Sequence, residues 1–196
     1  MLCSLVGAAA VALGIMLAQL LAPASVSLAA GTWLPHPSPV SDFHLSDLSG
    51  RELSLRELRG HPTLLLFGFT NCPDVCPLTL ATLSQLPRDA LPGLQVLFVT
   101  VDPQRDSRSV LQAYLAAFSP NFRGARGSER ELAPLLRSLH ASAQRENLPD
   151  GSYTMQHSAT LYLLNTRGEL AAVFTPPFSV SALSSDLRRI GESDQL

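Results

Sequence analysis

The stretch Thr63-Leu64-Leu65-Leu66-Phe67-Gly68-Phe69, followed by Thr70-Asn71-Cys72-Pro73-Asp74-Val75-Cys76-Pro77, decides the fold. Its first seven residues are an almost unbroken apolar run of strand length, the pattern of a central strand covered on both faces. Pro77 then opens a helical pattern through Leu78, Leu80, Leu83 and Leu86, since proline suits a first helical turn. Strand therefore passes to helix across Cys72 and Cys76. Outward from there, residues 95–101 (QVLFVTV) read as a second buried strand, and residues 107–118 carry Val110, Leu111, Tyr114, Leu115 and Phe118 at helical spacing. This βαβα alternation predicts parallel strands with helices on both sides. Ser128 and Glu131 have capping-box spacing ahead of Leu132, Leu135, Leu136 and Leu139, which marks another helix start. Upstream, residues 42–47 and 52–55 alternate around Leu48-Ser49-Gly50 as a short edge hairpin. Downstream, residues 160–164 and 170–174 flank the turn Asn165-Thr166-Arg167-Gly168, and residues 180–190 form a closing amphipathic helix. An α/β chain ending in an antiparallel hairpin and a helix has the thioredoxin-like order. The expected architecture is a central mixed sheet flanked by helices and preceded by an N-terminal hydrophobic segment.

Composition sets the wider frame. The 196 residues are 46% hydrophobic with net charge −2 and pI near 6.2, enough for one globular domain. No basic stripe or clustered aromatics are present to neutralise phosphates or stack bases, so nucleic acid is excluded as a partner. Residues 5–22 (LVGAAAVALGIMLAQLLA) contain one clearly polar side chain, Gln19. A helix rising about 1.5 Å per residue over that length nearly crosses a hydrocarbon core of about 30 Å. The segment reads as a membrane anchor; the alternative is a signal peptide cleaved near Ser27-Leu28-Ala29. The first arginine is Arg51, so flanking charge does not orient the segment. Pro35, Pro37 and Pro39 make the following residues an extended spacer. The expected division is residues 1–24 as anchor or signal, 25–40 as linker and 41–196 as the folded domain. The expected location is a bacterial inner membrane, single-pass, with the domain on the periplasmic side, or the periplasm itself after cleavage. Cys3, at the start of the apolar segment, is a small hydrophobe with no assigned role.

The chemistry lies in Cys72 and Cys76. Four residues apart where a strand meets a helix, their sulfurs can reach one point. Soft thiolates prefer Cu(I), and the free amides of a helix N-terminus favour thiolates. The same pair can close as a disulfide, especially in an oxidising compartment, either as a redox couple or as a plain structural bridge. A structural bridge gains little here, because three intervening residues constrain the unfolded chain weakly. Structural zinc normally needs four ligands in a cysteine-rich spacing that this chain lacks.

Three segments together, LLLFGFTNCPDVCPLTL, VTVDPQRDS and YTMQHSATLYLLN, resemble the Sco/SenC family of copper-binding thioredoxin-like proteins, in the family's order and with similar separations, from about Phe43 to Ile190. The resemblance implies a thioredoxin fold in which Cys72, Cys76 and His157 bind one copper ion, with His157 arriving from the loop before the next strand. It also implies a role in assembling the dinuclear copper centre of cytochrome c oxidase, by copper donation or by reducing that centre's cysteines. The implied partners are the copper-receiving oxidase subunit, a thiol reductant and another copper chaperone. Independently, a neutral imidazole suits copper as a third ligand, and His157 lies just before an apolar run. His36, His44, His61 and His140 lack such context and read as surface or packing residues. Gln156 stands where the family more often has an acidic residue.

Asp102, Pro103, Arg105 and Asp106 follow the second strand, where the loops of an α/β sheet gather. They read as loop-shaping residues, with Asp106 or Ser107 capping the next helix; the alternative is support of the metal site or partner docking. Asp74 reads as solvated, and Met155 as a gap-filling hydrophobe rather than a thioether ligand. Three functions compete. A metallochaperone, a transfer protein without a turnover cycle, requires His157. A thiol-disulfide oxidoreductase requires Cys72 and Cys76 as a catalytic redox pair but tolerates loss of His157. A thiol peroxidase is the third, suggested by a cysteine at a strand-to-helix turn.

Overall fold

The computed structural model describes residues 27–192 together with Gly14, Met16 and Leu196. The expected tether therefore lies outside the described residues except at two positions, and Cys3 lies outside them altogether. Among the described residues no helix is long and apolar enough to cross a membrane.

Ten strands are present: β1 Gly31–Pro39, β2 Leu45–Asp47, β3 Glu52–Leu53, β4 Thr63–Gly68, β5 Gln95–Thr100, β6 Arg123–Arg126, β7 Ala143–Asn147, β8 Tyr153–His157, β9 Leu161–Leu164 and β10 Glu169–Phe174. Among the described residues five helices accompany these strands: α1 Leu55–Leu58, α2 Val75–Ser84, α3 Arg108–Ala116, α4 Glu129–Ser138 and α5 Val180–Gly191. Eight strands make one mixed sheet in the order β1-β10-β9-β4-β5-β6-β2-β3, while β7 and β8 form a separate two-stranded ribbon. β4, β5 and β6 run parallel, and β9 closes antiparallel onto β4.

Strand alternation sorts the core into two layers. Leu64, Leu66 and Phe98 face Leu80 and Leu83 of α2, Leu111 and Leu115 of α3, and Leu183 and Leu187 of α5. Leu65, Phe67, Leu97 and Val99 face the other way, toward Leu55 and Leu58 of α1 and Leu132 and Leu135 of α4. All six residues of β4 are buried, as its apolar run required. Each fully buried leucine or phenylalanine is worth about 1.5–3 kcal/mol, so the two layers clamp β4 and fix the end from which Cys72 emerges.

Two local expectations are met closely. Ser128 caps α4, accepting from Glu131 N while Glu131 returns to Ser128 N at 2.7 Å. The β9–β10 hairpin turns through Gly168, whose φ of +81° is open to glycine at little cost. Two other expectations need correction. The helix beside the cysteines starts at Val75, two residues before Pro77; proline falls within the first turn, whose amides have no intrahelical partner in any case. The proline-rich spacer, expected over residues 25–40, is sheet from Gly31 to Pro39, paired with β10 and anchored by buried Trp33. An edge strand directs part of its N–H row to solvent, so it tolerates prolines, and the register shift between Trp33 and Ser38 absorbs the rest. The segment just upstream is also fastened: the buried Asp186 carboxylate accepts from Ala29 N and Ala30 N, both at 2.7 Å.

Candidate metal centre

The parallel strands deliver the chemistry to one end of the sheet. β4 ends at Gly68, and the chain turns through Thr70 and Asn71 to Cys72, whose N–H donates to Phe69 O at 3.2 Å. A Cβ at Gly68 would stand 2.8 Å from Cys76 Sγ and 2.7 Å from the Phe98 ring, so only glycine lets the helix sit this close to the strand. Cys76 is the second residue of α2 and is 2% exposed, whereas Cys72 is half-buried; both are free thiols. Cys76 N–H donates to Cys72 Sγ at 3.4 Å, so a free amide of the helix start is spent on the outer sulfur. Asp74, the exposed N-cap residue, makes no side-chain cap bond.

His157 arrives from elsewhere. It ends β8 in the two-stranded ribbon rather than lying in a loop, which corrects the expectation. Its Nδ1–H donates to Ser158 O at 3.0 Å, leaving the Nε2 lone pair toward Cys76 Sγ at 3.5 Å. The Phe69 ring meets the imidazole edge-to-face with centroids 5.7 Å apart. Burial lowers the His157 pKa below its ordinary value, against a smaller opposing effect of the Ser158 carbonyl, so the ring is neutral at neutral pH. Burial pushes the Cys76 thiol up instead, and neighbouring Cys72 and Asp106 push the same way. This corrects the expectation that the helix start favours both thiolates: at Cys76 desolvation wins. A cation bound at that sulfur displaces its proton.

The Cys72 and Cys76 sulfurs and a His157 ring nitrogen all lie within 4.8 Å of one another. Bonds of roughly 2.0–2.3 Å to one ion hold two ligands at most about 4.6 Å apart, so small side-chain shifts suffice to share an ion. Among the described residues no fourth His, Cys, Asp or Glu joins the group. The gap beside it, lined by Leu66, Val75, Cys76, Thr79 and His157, holds about 10 Å³, room for one water molecule at most. The arrangement can hold a metal ion.

The other histidines stay apart: His36, His44, His61 and His140 are exposed, and His44 pairs with Glu52 at 2.5 Å. Met155 packs against the second core layer, as a gap-filler should. Gln156 points to the ribbon face opposite His157 and donates to Glu146 at 2.6 Å. Ser107, not Asp106, caps α3 by accepting from Val110 N. Asp106 turns inward to Thr70 and Thr100, and Asp102 bonds Arg105 and Tyr153. Sequence reasoning singled out neither Thr70 nor Tyr153. Tyr153 carried one usable signal, since it lies four residues before His157 and so on the same face of a strand.

The geometry has counterparts among known proteins. A family model described as SCO1/SenC matches residues 34–192. The mitochondrial SCO2 homolog of Danio rerio is 42% identical over 135 residues, 65% of this chain and 48% of that protein. A putative copper-binding protein of Stutzerimonas stutzeri is 30% identical over 166 residues, 83% of this chain and 81% of its own length. The chain spans about half the length of the mitochondrial relatives it matches. Bradyrhizobium japonicum ScoI, solved with copper bound, is similar with a TM-score of 0.69 at 33% identity, covering 78% of this chain and 99% of that one. Yeast Sco1, also solved with copper bound, is similar with a TM-score of 0.70 at 31% identity, over 77% of this chain and 87% of that one. A family match over most of the chain, on a fold shared with these structures over more than three quarters of its length, makes this protein a member of the SCO1/SenC family.

Proposed function

We propose that the protein carries one copper ion as cargo on Cys72, Cys76 and His157 and passes it to the copper-receiving subunit of cytochrome c oxidase while that enzyme's dinuclear copper centre is assembled. The observation that carries this reading is the meeting of two thiols and a neutral imidazole within 4.8 Å, brought together from two separate sheets. Two sulfurs and one nitrogen are a soft, low-coordinate donor set suited to Cu(I), and the lack of a fourth ligand among the described residues disfavours structural zinc. The copper held by relatives of the same fold supports the choice of metal. Cys76 sits deep while Cys72 and His157 are half-buried, so an incoming ligand of the acceptor meets the ion from the side away from Cys76. Residues 1–24 are the anchor, or the signal, that places this chemistry outside the cytoplasm.

The reduced full-length protein is expected to bind one tight copper per chain. Cys72→Ser/Cys76→Ser should abolish binding, and His157→Ala should weaken it at least roughly tenfold, since residues that merely orient a ligand are worth that much. Competition titration against a chelator of known affinity measures both. Binding that survives loss of the cysteines, or ignores His157, overturns the reading.

One observation favours a second reading. Cys72 is accessible, Cys76 is shielded behind it, and both are free. In an oxidoreductase Cys72 thiolate attacks a partner disulfide and expels one partner thiolate. Cys76 then attacks the Cys72 sulfur and releases the second, so two electrons pass to the partner and the Cys72–Cys76 disulfide remains for a separate thiol reductant. Such turnover persists in His157→Ala, whereas copper carriage does not.

A further inference from the structure

We propose that Asp102, Arg105 and Asp106 form a positioning bridge that sets the distance between the cysteine loop and the ribbon carrying His157, and so prepares the metal site before an ion arrives. This rests on the metal-site reading above.

The two halves of the site have no common sheet. The cysteines hang from β4, and His157 from a ribbon that shares no strand pairing with the main sheet. The loop after β5 touches both. On one side Asp106, fully buried, accepts from Thr70 N at 3.1 Å and from Thr70 Oγ1 at 2.6 Å, two residues before Cys72. On the other side Asp102, 2% exposed, accepts from Tyr153 Oη at 3.0 Å and from Arg105 Nε, four residues before His157 on the same strand. Arg105 completes that grip: its Nη1 donates to Tyr153 O at 2.9 Å, and its guanidinium lies 3.8 Å from the Tyr153 ring centre. Arg145 of β7 stacks on the same ring at 3.7 Å, so the tyrosine is held by both strands of the ribbon and by the loop. Arg105 also lies 5.7 Å from the ring of Phe69, which meets the His157 imidazole edge-to-face.

The two grips are mechanically one. Thr100 Oγ1 donates to Asp106 and accepts from Asp102 N at 3.0 Å, Asp106 N donates to Asp102 O at 2.9 Å, and Arg126 fastens the carbonyls of Pro103 and Asp106. Removing two carboxylates from water is costly, and both are hydrogen-bonded here, whereas Arg105 is held through Nε and Nη1 alone and its buried Nη2 has no hydrogen-bond partner. Neither carboxylate is hydrogen-bonded to a ligand atom, so their influence on the site runs through Thr70 and Tyr153.

A double-mutant cycle tests this in the full-length reduced protein, with Cu(I) as the probe. Tyr153→Phe removes one hydroxyl and keeps the ring. Arg105→Lys keeps the charge but loses the planar fork that reaches Asp102 and Tyr153 together. Each is expected to weaken Cu(I) binding roughly tenfold when His157 is present, and by less than about twofold in a His157→Ala background, because the effect passes through His157. Thr70→Val acts through Cys72 and should weaken binding equally in both backgrounds. A second readout needs no metal: the imidazole ¹H–¹⁵N spectrum of His157, a single Nδ1–H tautomer in the unaltered protein, should broaden toward averaging in Tyr153→Phe and Arg105→Lys. Equal losses of affinity in both backgrounds, or an unchanged imidazole spectrum, overturn the bridge. Absence of copper binding in the unaltered protein overturns the metal reading instead, and leaves the spectra to judge the bridge alone.

Discussion

A chain that begins at Ser41 will fail to fold cooperatively at 37 °C, whereas one that begins at Ser27 will melt as a single unit. The first lacks β1, so the edge of β10 loses its hydrogen-bonding partner from Glu169 to Phe174. Trp33, 7% exposed in the intact sheet, leaves with it, and removal of a buried aromatic of that size costs about 3–5 kcal/mol. Asp186 suffers as well, because its buried carboxylate keeps neither Ala29 N nor Ala30 N. Loss of these two hydrogen bonds to a charged group costs about 1.5–3 kcal/mol each. Against a total stability of about 5–15 kcal/mol these losses leave little. The bared β10 edge, with Leu170, Ala172 and Phe174 behind it, then invites strand pairing between molecules. Thermal melts and size-exclusion profiles of the two chains decide the matter; coincident melting temperatures and elution would refute it.

Asp106→Ala is the most damaging single substitution anticipated in the loop after β5. The carboxylate is fully buried and accepts from Thr70 N, Thr70 Oγ1 and Thr100 Oγ1. Alanine leaves one backbone donor and two hydroxyls in a space too dry to hydrate them. Each orphaned group costs about 1–3 kcal/mol; Thr70 Oγ1 keeps Asn71 Oδ1 and Thr100 Oγ1 keeps Asp102 N, which puts the hydroxyls at the low end and the total near roughly 3–5 kcal/mol. In urea this appears as a lower midpoint with an unchanged slope. A shift corresponding to less than about 1 kcal/mol would mean that water reaches the vacated site.

Much of this was legible in the chain itself, for identifiable reasons. β4 and β5 announce themselves because burial on both faces demands continuous apolar residues, and α4 because Ser128 and Glu131 must serve each other's amides. Cys72 and Cys76 are visible because ligation needs them close in sequence, and His157 stood out by its place beside them in a three-part pattern. The β7–β8 ribbon was not legible. AQREN is mostly polar on both faces, YTMQH alternates only over Tyr153, Met155 and His157, too short a run to read alone, and the ribbon's attachment depends on Tyr153 finding Asp102 fifty-one residues away. β6 was missed for a related cause: RGAR buries only Gly124 and Ala125, too short a run to read. β1 was misread because prolines break interior strands but are tolerated at an edge. Asp106 was offered beside Ser107 as a cap for the next helix, a local rule; Ser107 takes that place, while Asp106 bonds Thr100 six residues back and Thr70 thirty-six residues back.

The placement of the ligands on two separate pieces of structure has a thermodynamic corollary. Cys76 and His157 stand 81 positions apart in the chain, and Cys72 and Cys76 only four. An ion shared by all three is a cross-link over the longer span, and the restriction it imposes on the unfolded chain is worth about 4.5 kcal/mol by the loop-entropy relation. A bond between the two sulfurs alone closes the shorter loop and is worth about 2 kcal/mol. Cargo therefore staples the C-terminal third of the fold to its first central strand, and oxidation does not. The melting temperature becomes a gauge of what the site holds, highest when loaded, lower when oxidised and lowest when reduced and empty.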